Sequence, residues 1–253
     1  MKDDRDAVVI RAENLGKRFM IGAEHQRRTI PSALRRALTG RADRRELWAL
    51  RGLDFTVRRG ERLGLIGANG AGKSTLLLLL AEILGPTEGR LTVRGKIDPF
   101  FQLGAGLQPR LSVLDNFGLC AALLGISRRA LKRDLPKMLE FSGLGTYRHA
   151  AYGELSSGLA ARLPFSVAVH AELDIVVIDE AFSVGDRMFQ ARCLEALEDF
   201  KRQGRTVIIA SHDLELLRSL CDRALYLRGG RAEFLGPADA AIERFIADCA
   251  PGR

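Results

Sequence analysis

Short apolar runs, bounded by glycine, proline and charged residues, alternate along this chain with longer stretches of helical period. Val8-Val9-Ile10-Arg11-Ala12 reads as a first strand. Leu50 to Arg58 reads as a second, with Leu53, Phe55 and Val57 on its inward face, and Arg59-Gly60 turns it. Arg62-Leu63-Gly64-Leu65-Ile66 has the continuous apolar character of a buried strand, and Leu76 to Leu84 that of a helix. Leu91-Thr92-Val93 follows the turn Gly85-Pro86-Thr87 as another short strand. These short strands on either side of the buried one predict a small antiparallel layer beside a main sheet. From Ser112 to about His149 the period is helical, broken at Gly125 and resumed from Arg128 to Phe141, which predicts a helical subdomain inserted between two core strands. The core returns with the strand Asp174 to Ile178, a helix Arg187 to Gln203, and strands at Thr206 to Ala210 and Ala224 to Leu227. Strands alternating with helices predict an α/β fold with a mainly parallel sheet core.

Residues 20–48 are out of proportion to the link they make between the first two strands. Thr29 can N-cap a helix with Pro31 in its first turn, and Gly40 can stop it. Ile30, Ala33, Leu34, Ala37 and Leu38 share one face, and Arg27, Arg28, Arg35, Arg36, Arg41, Arg44 and Arg45 decorate the rest. Such a helix suits an anionic lipid surface, and it equally suits a solvated face packed on its own domain. It also accounts for part of the formal net charge of +8, a balance that favours nucleic acid, anionic membrane or phosphorylated ligands without choosing among them. The chain has 253 residues, 47% of them hydrophobic, enough for one α/β domain with appendages. The longest apolar run, Leu76 to Ala81, ends at Glu82 and is far too short to span a membrane, and Met1 to Asp6 is charged, unlike a secretory leader. A cytosolic or peripheral protein is the expectation. Four scattered cysteines, Cys120, Cys193, Cys221 and Cys249, without C-x-x-C spacing, suggest reduced thiols.

The strongest chemical signal is Gly67-Ala68-Asn69-Gly70-Ala71-Gly72-Lys73-Ser74-Thr75, which fits G-x-x-x-x-G-K-[ST] between a predicted strand and helix. Glycines let the backbone curl so that N–H groups point inward, and the helix start adds its positive dipole end. Lys73 would reach the β- and γ-phosphates and the Ser74 hydroxyl would ligate Mg²⁺. The apolar run Leu173 to Ile178 ends in Asp179-Glu180, two carboxylates at the carboxyl edge of the sheet. Asp179 is placed to hold Mg²⁺ and Glu180 to act as general base on water. Ser211-His212-Asp213 follows another apolar strand, so His212 can meet the γ-phosphate and hold the water, although a lone histidine there is more often a cap or loop residue. Gln102, in Phe100-Phe101-Gln102-Leu103, is a weaker candidate for a Mg²⁺ or water ligand. Leu155-Ser156-Ser157-Gly158-Leu159 precedes a helix starting near Ala160 and makes a second anion-binding loop. One nucleotide does not need two such loops from one subunit, so a homodimer is expected, this loop covering the partner's nucleotide.

In number and order these motifs resemble those of ABC-type ATPases, along essentially the whole chain. Asp186, in Ser183-Val184-Gly185-Asp186, matches the aspartate of that family's D-loop. More narrowly, the chain resembles the ATP-binding subunits of polysaccharide exporters for O-antigen, capsule and teichoic acid. Ser156-Ser157-Gly158-Leu159 with Arg162-Leu163, the run Asp179 to Asp186 with Phe189-Gln190 and Cys193, Leu103-Gly104-Ala105-Gly106, and the insert ending Leu47-Trp48-Ala49-Leu50 carry that resemblance. It implies a phosphate-loop fold of ABC type, one domain over 1–253, with a basic insert at 20–48 and a helical subdomain with the signature loop at 112–170. It implies nucleotide contacts from Phe19, Gly67, Asn69, Gly70, Ala71, Gly72, Lys73, Ser74, Thr75, Gln102, Ser156, Ser157, Gly158 and Asp186. Phe19 aligns best with the aromatic that stacks on adenine, with Trp48 as the alternative. Against the wider family, Leu159 replaces a glutamine and Ser157 a glycine, Pro164 stands in the helix after the signature, and Gln108 replaces a histidine. No C-terminal carbohydrate-binding β-sandwich is expected, because only about forty residues follow His212.

The resemblance implies ATP and Mg²⁺ as cofactors and an ATPase that drives membrane permease subunits to export a lipid-linked polysaccharide. The place of action would be the cytoplasmic face of the inner membrane, with no nucleic acid partner. A soluble ABC ATPase acting on ribosomes or DNA is the rival from another class. Such proteins usually carry two cassettes or a long coiled-coil insert, and neither pattern is in the sequence. A regulatory subunit without turnover is a second rival, opposed by the complete set of Lys73, Asp179, Glu180 and His212.

Overall fold

Two sheets with a leucine-rich helix between them organise the molecule. The computed structural model describes residues 7–21, 45–99, 106–179 and 186–249. The smaller sheet is antiparallel, built from β1 (Val8–Ile21), β2 (Arg45–Arg58) and β4 (Glu88–Val93) in the order β2-β1-β4. The larger has the order β5-β6-β7-β3-β8-β9, from β3 (Arg62–Ile66), β5 (Ile97–Pro99), β6 (Ile175–Asp179), β7 (Thr206–Ala210), β8 (Arg223–Arg228) and β9 (Arg231–Pro237). Its pairs are parallel from β5 to β8, and β9 turns back antiparallel at the edge. β3 and β7 are buried along their whole length, which is why both read as unbroken apolar runs.

Alternation along β6 and β7 divides the core in two. Ile175, Val177, Ile208 and Ala210 meet Leu76, Leu77, Leu79 and Leu80 of α1 (Lys73–Leu80), which in turn pack under Leu53, Phe55 and Val57 of the antiparallel layer. Val176, Ile178, Val207 and Ile209 face the opposite way, toward α6 (Arg187–Arg202), α7 (Leu214–Leu220) and α8 (Ala238–Cys249). Between β5 and β6 lies the helical segment α2 (Val113–Leu123), α3 (Arg128–Ser142), α4 (Ser157–Ala160) and α5 (Arg162–Val169). Ser112 and Ser127 cap α2 and α3, accepting from the N–H groups of Asp115 and Ala130. Asn116, fully buried, accepts from the Gln108 N–H and donates to the carbonyls of Gln108, Leu111 and Ser112, so it pins the approach to α2.

Several elements differ from expectation. β1 runs on to Ile21 and β2 starts at Arg45, so Phe19 and Trp48 sit within a long two-stranded ribbon. The helix expected from Thr29 lies outside the described residues, as do Gln102 and Glu180. α1 stops at Leu80 rather than Leu84, because Glu82 takes a left-handed backbone with φ of 57°. The helix after the signature loop starts at Ser157 as one turn and restarts at Arg162, with Pro164 in the first turn of α5, where a missing N–H costs nothing. β5, α7, β9 and α8 were not expected from the pattern.

Candidate nucleotide site

The sheet order explains how distant motifs meet. β6, β7 and β3 are neighbours in the sheet and run parallel. Asp179 ends β6, His212 follows β7, and the loop from Gly67 follows β3, so all three leave the same edge. In open α/β sheets that edge is where ligands bind.

The loop itself is tightly built. A Cβ on Gly67 would lie 2.4 Å from the Leu227 carbonyl oxygen, and Gly72 has φ of 105° with its Cβ direction 2.6 Å from Leu50 Cδ2. Only glycine fits either place. Gly72 starts α1 without a side-chain cap, which leaves the first N–H groups of the helix facing the loop. The nearly buried Lys73 donates from Nζ to the carbonyls of Gly67 at 2.7 Å and Ala68 at 3.2 Å. Ser74 Oγ donates to Asp179 Oδ2 at 3.4 Å. That pair is a set of hard oxygen donors, the kind that suits Mg²⁺, which takes one or two protein oxygens and leaves the rest to phosphate and water. Sequence reading missed the support beneath the loop. The Gly230 N–H donates to the Ala71 carbonyl at 3.2 Å, and the Arg51 N–H donates to the Gly230 carbonyl at 2.8 Å. The dipeptide Gly229-Gly230 was its only trace in the sequence.

A cleft of about 360 Å³ is lined by Phe19, Leu47, Trp48, Ala49 and the stretch Asn69 to Thr75. Both candidate aromatics therefore border it. Phe19 pairs across the ribbon with Leu47, and Arg18 with Trp48. The guanidinium groups of Arg18 and Arg51 lie 5.4 and 5.0 Å from the Trp48 ring, while Phe19 has the Lys17 ammonium at 5.6 Å. A larger cleft of about 510 Å³, among Lys96, Glu172, Asp174 and Arg205, lies at the opposite end of the strands and holds none of the motif residues.

His212 is exposed at the sheet edge, between the buried Ser211 and Asp213, whose carboxylate caps α7 by accepting from the Leu216 N–H. The signature loop is displayed on the helical segment. Ser156 accepts from the Leu159 N–H at 3.4 Å, and Ser157 and Gly158 belong to the single turn α4. Asp186 caps α6 through Oδ1, accepting from the Phe189 N–H at 2.9 Å, and its Oδ2 accepts from Arg162 at 3.0 Å. The Phe189 N–H, with the Arg162 side chain adding to it, holds the Asp186 carboxyl below the usual carboxylate range. Sequence reading gave Arg162 no role of its own.

Fold and site together define a phosphate-loop ATPase, with Lys73, Ser74 and Asp179 gathered at one sheet edge. The chain belongs to the ABC transporter family, whose profile matches residues 50–183, and it is an ATPase of that family. It is similar to the O-antigen export system ATP-binding protein RfbB of Klebsiella pneumoniae, 39% identical over 79% of this chain and 82% of that protein. The RfbB of Myxococcus xanthus is 35% identical over 96% of this chain but only 56% of its own length. The teichoic acids export ATP-binding protein TagH of Listeria monocytogenes is 34% identical over 78% of this chain and 59% of its own. Among solved structures, a dimeric ATP-binding cassette in a post-hydrolysis state with ADP and phosphate matches with a TM-score of 0.72. It covers 90% of this chain and 98% of that one at 20% identity, a likeness of fold.

Proposed function

We propose that this chain is the ATP-hydrolysing subunit of an exporter of lipid-linked cell-surface polysaccharide. Two copies would bind a membrane permease on the cytoplasmic face of the inner membrane. The single domain spans 1–253, with residues 112–170 as the helical subdomain that carries the signature loop. The observation that carries the enzymatic half is the Ser74–Asp179 contact beside Lys73 at the edge of β3, β7 and β6. The cargo rests on the relatives, whose names specify export of O-antigen or teichoic acids.

ATP phosphates would lie on the N–H groups from Asn69 to Thr75 with Lys73 reaching between them, and adenine against Phe19, with Trp48 the second choice. Ser74, Asp179 and Gln102 would hold Mg²⁺, which when bound neutralises phosphate charge. Glu180 would take the proton of the attacking water and His212 would hold that water against the γ-phosphate. Ser156, Ser157 and Gly158 would close over the partner's nucleotide, and Asp186 would stand near that seam. Catalysis on this reading is mostly positioning and charge stabilisation. Among the described residues no helix is long and apolar enough to cross a membrane, which fits a peripheral subunit of a complex whose membrane part is another chain.

The test uses Glu180→Gln protein, which on this reading should bind ATP and stay closed, added with Mg·ATP to detergent-solubilised native membranes and recovered with whatever it holds. Recovery of a polytopic permease in equal amount supports the export reading. Recovery of ribosomal proteins or nucleic acid without a permease overturns it in favour of a soluble ABC ATPase.

A further inference from the structure

α3 carries Arg128, Arg129, Lys132, Arg133 and Lys137, and at 3.6 residues per turn they share about half of its circumference. All of them are exposed, while the opposite face buries Asp134, Met138 and Ser142. One of the helix's acids is thereby hidden. The Asp134 carboxylate accepts from Arg133 Nε at 2.9 Å and Nη2 at 2.6 Å, which holds it below the usual carboxylate range. On the outside only Glu140 remains, near the end of the helix. Arg128, Arg129, Lys132 and Lys137 have no hydrogen bond or ion pair among the described residues. Other helices pair their cations: Lys201 and Arg202 of α6 with Asp222 and Asp199, Arg218 of α7 with Glu215, and Arg244 of α8 with Glu233.

This placement weakens the helix. Arg128 with Lys132, Arg129 with Arg133, and Arg133 with Lys137 are like charges four residues apart. Arg128 and Arg129 also lie at the positive end of the helix dipole, with no acid in the first turn. Solubility asks for no such alignment, whereas an external anion reverses both effects. A second feature says what kind of anion. Leu123, at the end of α2, is 58% exposed. The turn after it is fixed by the Gly125 N–H on the Ala122 carbonyl at 3.1 Å and the Ile126 N–H on the Ala121 carbonyl at 2.8 Å, so the leucine is held beside the start of α3. An apolar side chain next to a basic stripe suits the boundary between lipid headgroups and acyl chains. Nucleic acid has no use for it, and the stripe offers no aromatic on which a base could stack.

We propose that the exposed face of α3, with Leu123 at its edge, docks on an anionic lipid bilayer. The stripe from Arg128 to Lys137 is about 14 Å long. The choice of lipid rests in part on the export reading above, which puts the subunit at a membrane, but the contact itself needs no permease. This surface is separate in the chain from the basic insert at 20–48.

The experiment floats the full-length protein, without permease or nucleotide, with vesicles of phosphatidylcholine alone or of phosphatidylcholine with phosphatidylglycerol, and repeats the assay with competing duplex DNA. The wild type is expected on the anionic vesicles only, and less of it as salt rises. Each cation at an anionic surface is worth about fivefold in partition, so Arg128→Gln with Lys132→Gln should lower binding roughly twentyfold. Its melting temperature should hold or rise, because a like-charge pair is gone. Arg129→Gln with Lys137→Gln keeps the test open should the first pair fail to fold. Leu123→Gln, with every charge kept, should also weaken binding. Arg90→Gln with Arg94→Gln removes the same charge from exposed positions on and beside β4 and should bind nearly as the wild type does. A wild type that ignores anionic vesicles, variants of α3 and Leu123 that bind as it does, or a β4 pair that loses as much as the α3 pair overturns the proposal. These results leave recovery of a permease, and with it the export reading, untouched. Binding through α3 to duplex DNA in preference to vesicles overturns the proposal and counts against the export reading as well.

Discussion

Lys73 spends its ammonium on two carbonyls of its own loop, Gly67 and Ala68, which aims it across the cradle those residues form. A hydrogen bond from a charged group is worth about 1.5–3 kcal/mol. Lys73→Ala should therefore weaken ATP binding roughly 10- to 100-fold by calorimetry, at little cost in fold. Two cysteines give a second prediction. Burial pushes the thiols of Cys193 and Cys221 from 9.0 up to about 12, so the folded protein keeps them protonated where the unfolded chain ionises. Their contribution to stability is complete below pH 9.0 and is lost as pH rises through about 12. Urea midpoints taken across that range should fall with pH, and fall less steeply when both are replaced by alanine. At this scale the sequence was most legible where chemistry is carried by a motif. Ser74 and Asp179, read from two separate motifs, come within 3.4 Å of each other. The bond between Arg162 and Asp186 was not legible, because the two residues are distant in sequence and belong to different motifs.

Elements were legible in proportion to how much of their surface is buried. β3 and β7, buried on both faces, were bounded correctly from their apolar runs, and the capping serines of α2 and α3 stand just before helices that their periods had marked. Ser112→Ala should cost about 1 kcal/mol through the lost cap, seen as a fall in melting temperature of about 2–4 °C for a chain of this size. The end of α1 was not legible, since it depends on the left-handed conformation of Glu82, a residue with no intrinsic preference for it. β9 and α8 were missed because β9 is a half-exposed edge strand, without a continuous apolar run, and α8 buries only Ala238, Ala241 and Ile242. Gly72→Ala is the most damaging change expected at this scale. Its Cβ would meet Leu50 Cδ2 at 2.6 Å and the Ala49 carbonyl at 2.7 Å in a backbone that disfavours it. Circular dichroism melting and ATP binding should fail together, unlike the Lys73 variant.

At the scale of the whole molecule, Glu180→Gln protein should migrate as a dimer in Mg·ATP during size exclusion and return to monomer in EDTA. The fold class was legible from alternation of strands and helices, but the strand order was not, because a parallel partner leaves no local trace in the chain. That order has a consequence for synthesis. β3, under the phosphate loop, is flanked by β7 and β8, and Arg62 finds its partner Val207 about 145 residues later in the chain. The antiparallel layer of β1, β2 and β4 is complete by Val93, whereas β3 gains its first neighbour only once β7 has been made, from Thr206 on. Until then the leucines of α1 have one wall of their core and lack the other. Nascent chains stalled before Thr206 should stay open to protease and hold chaperones, and those released beyond Arg228 should become resistant in a single step. The ATP site of this protein is made late, and all at once.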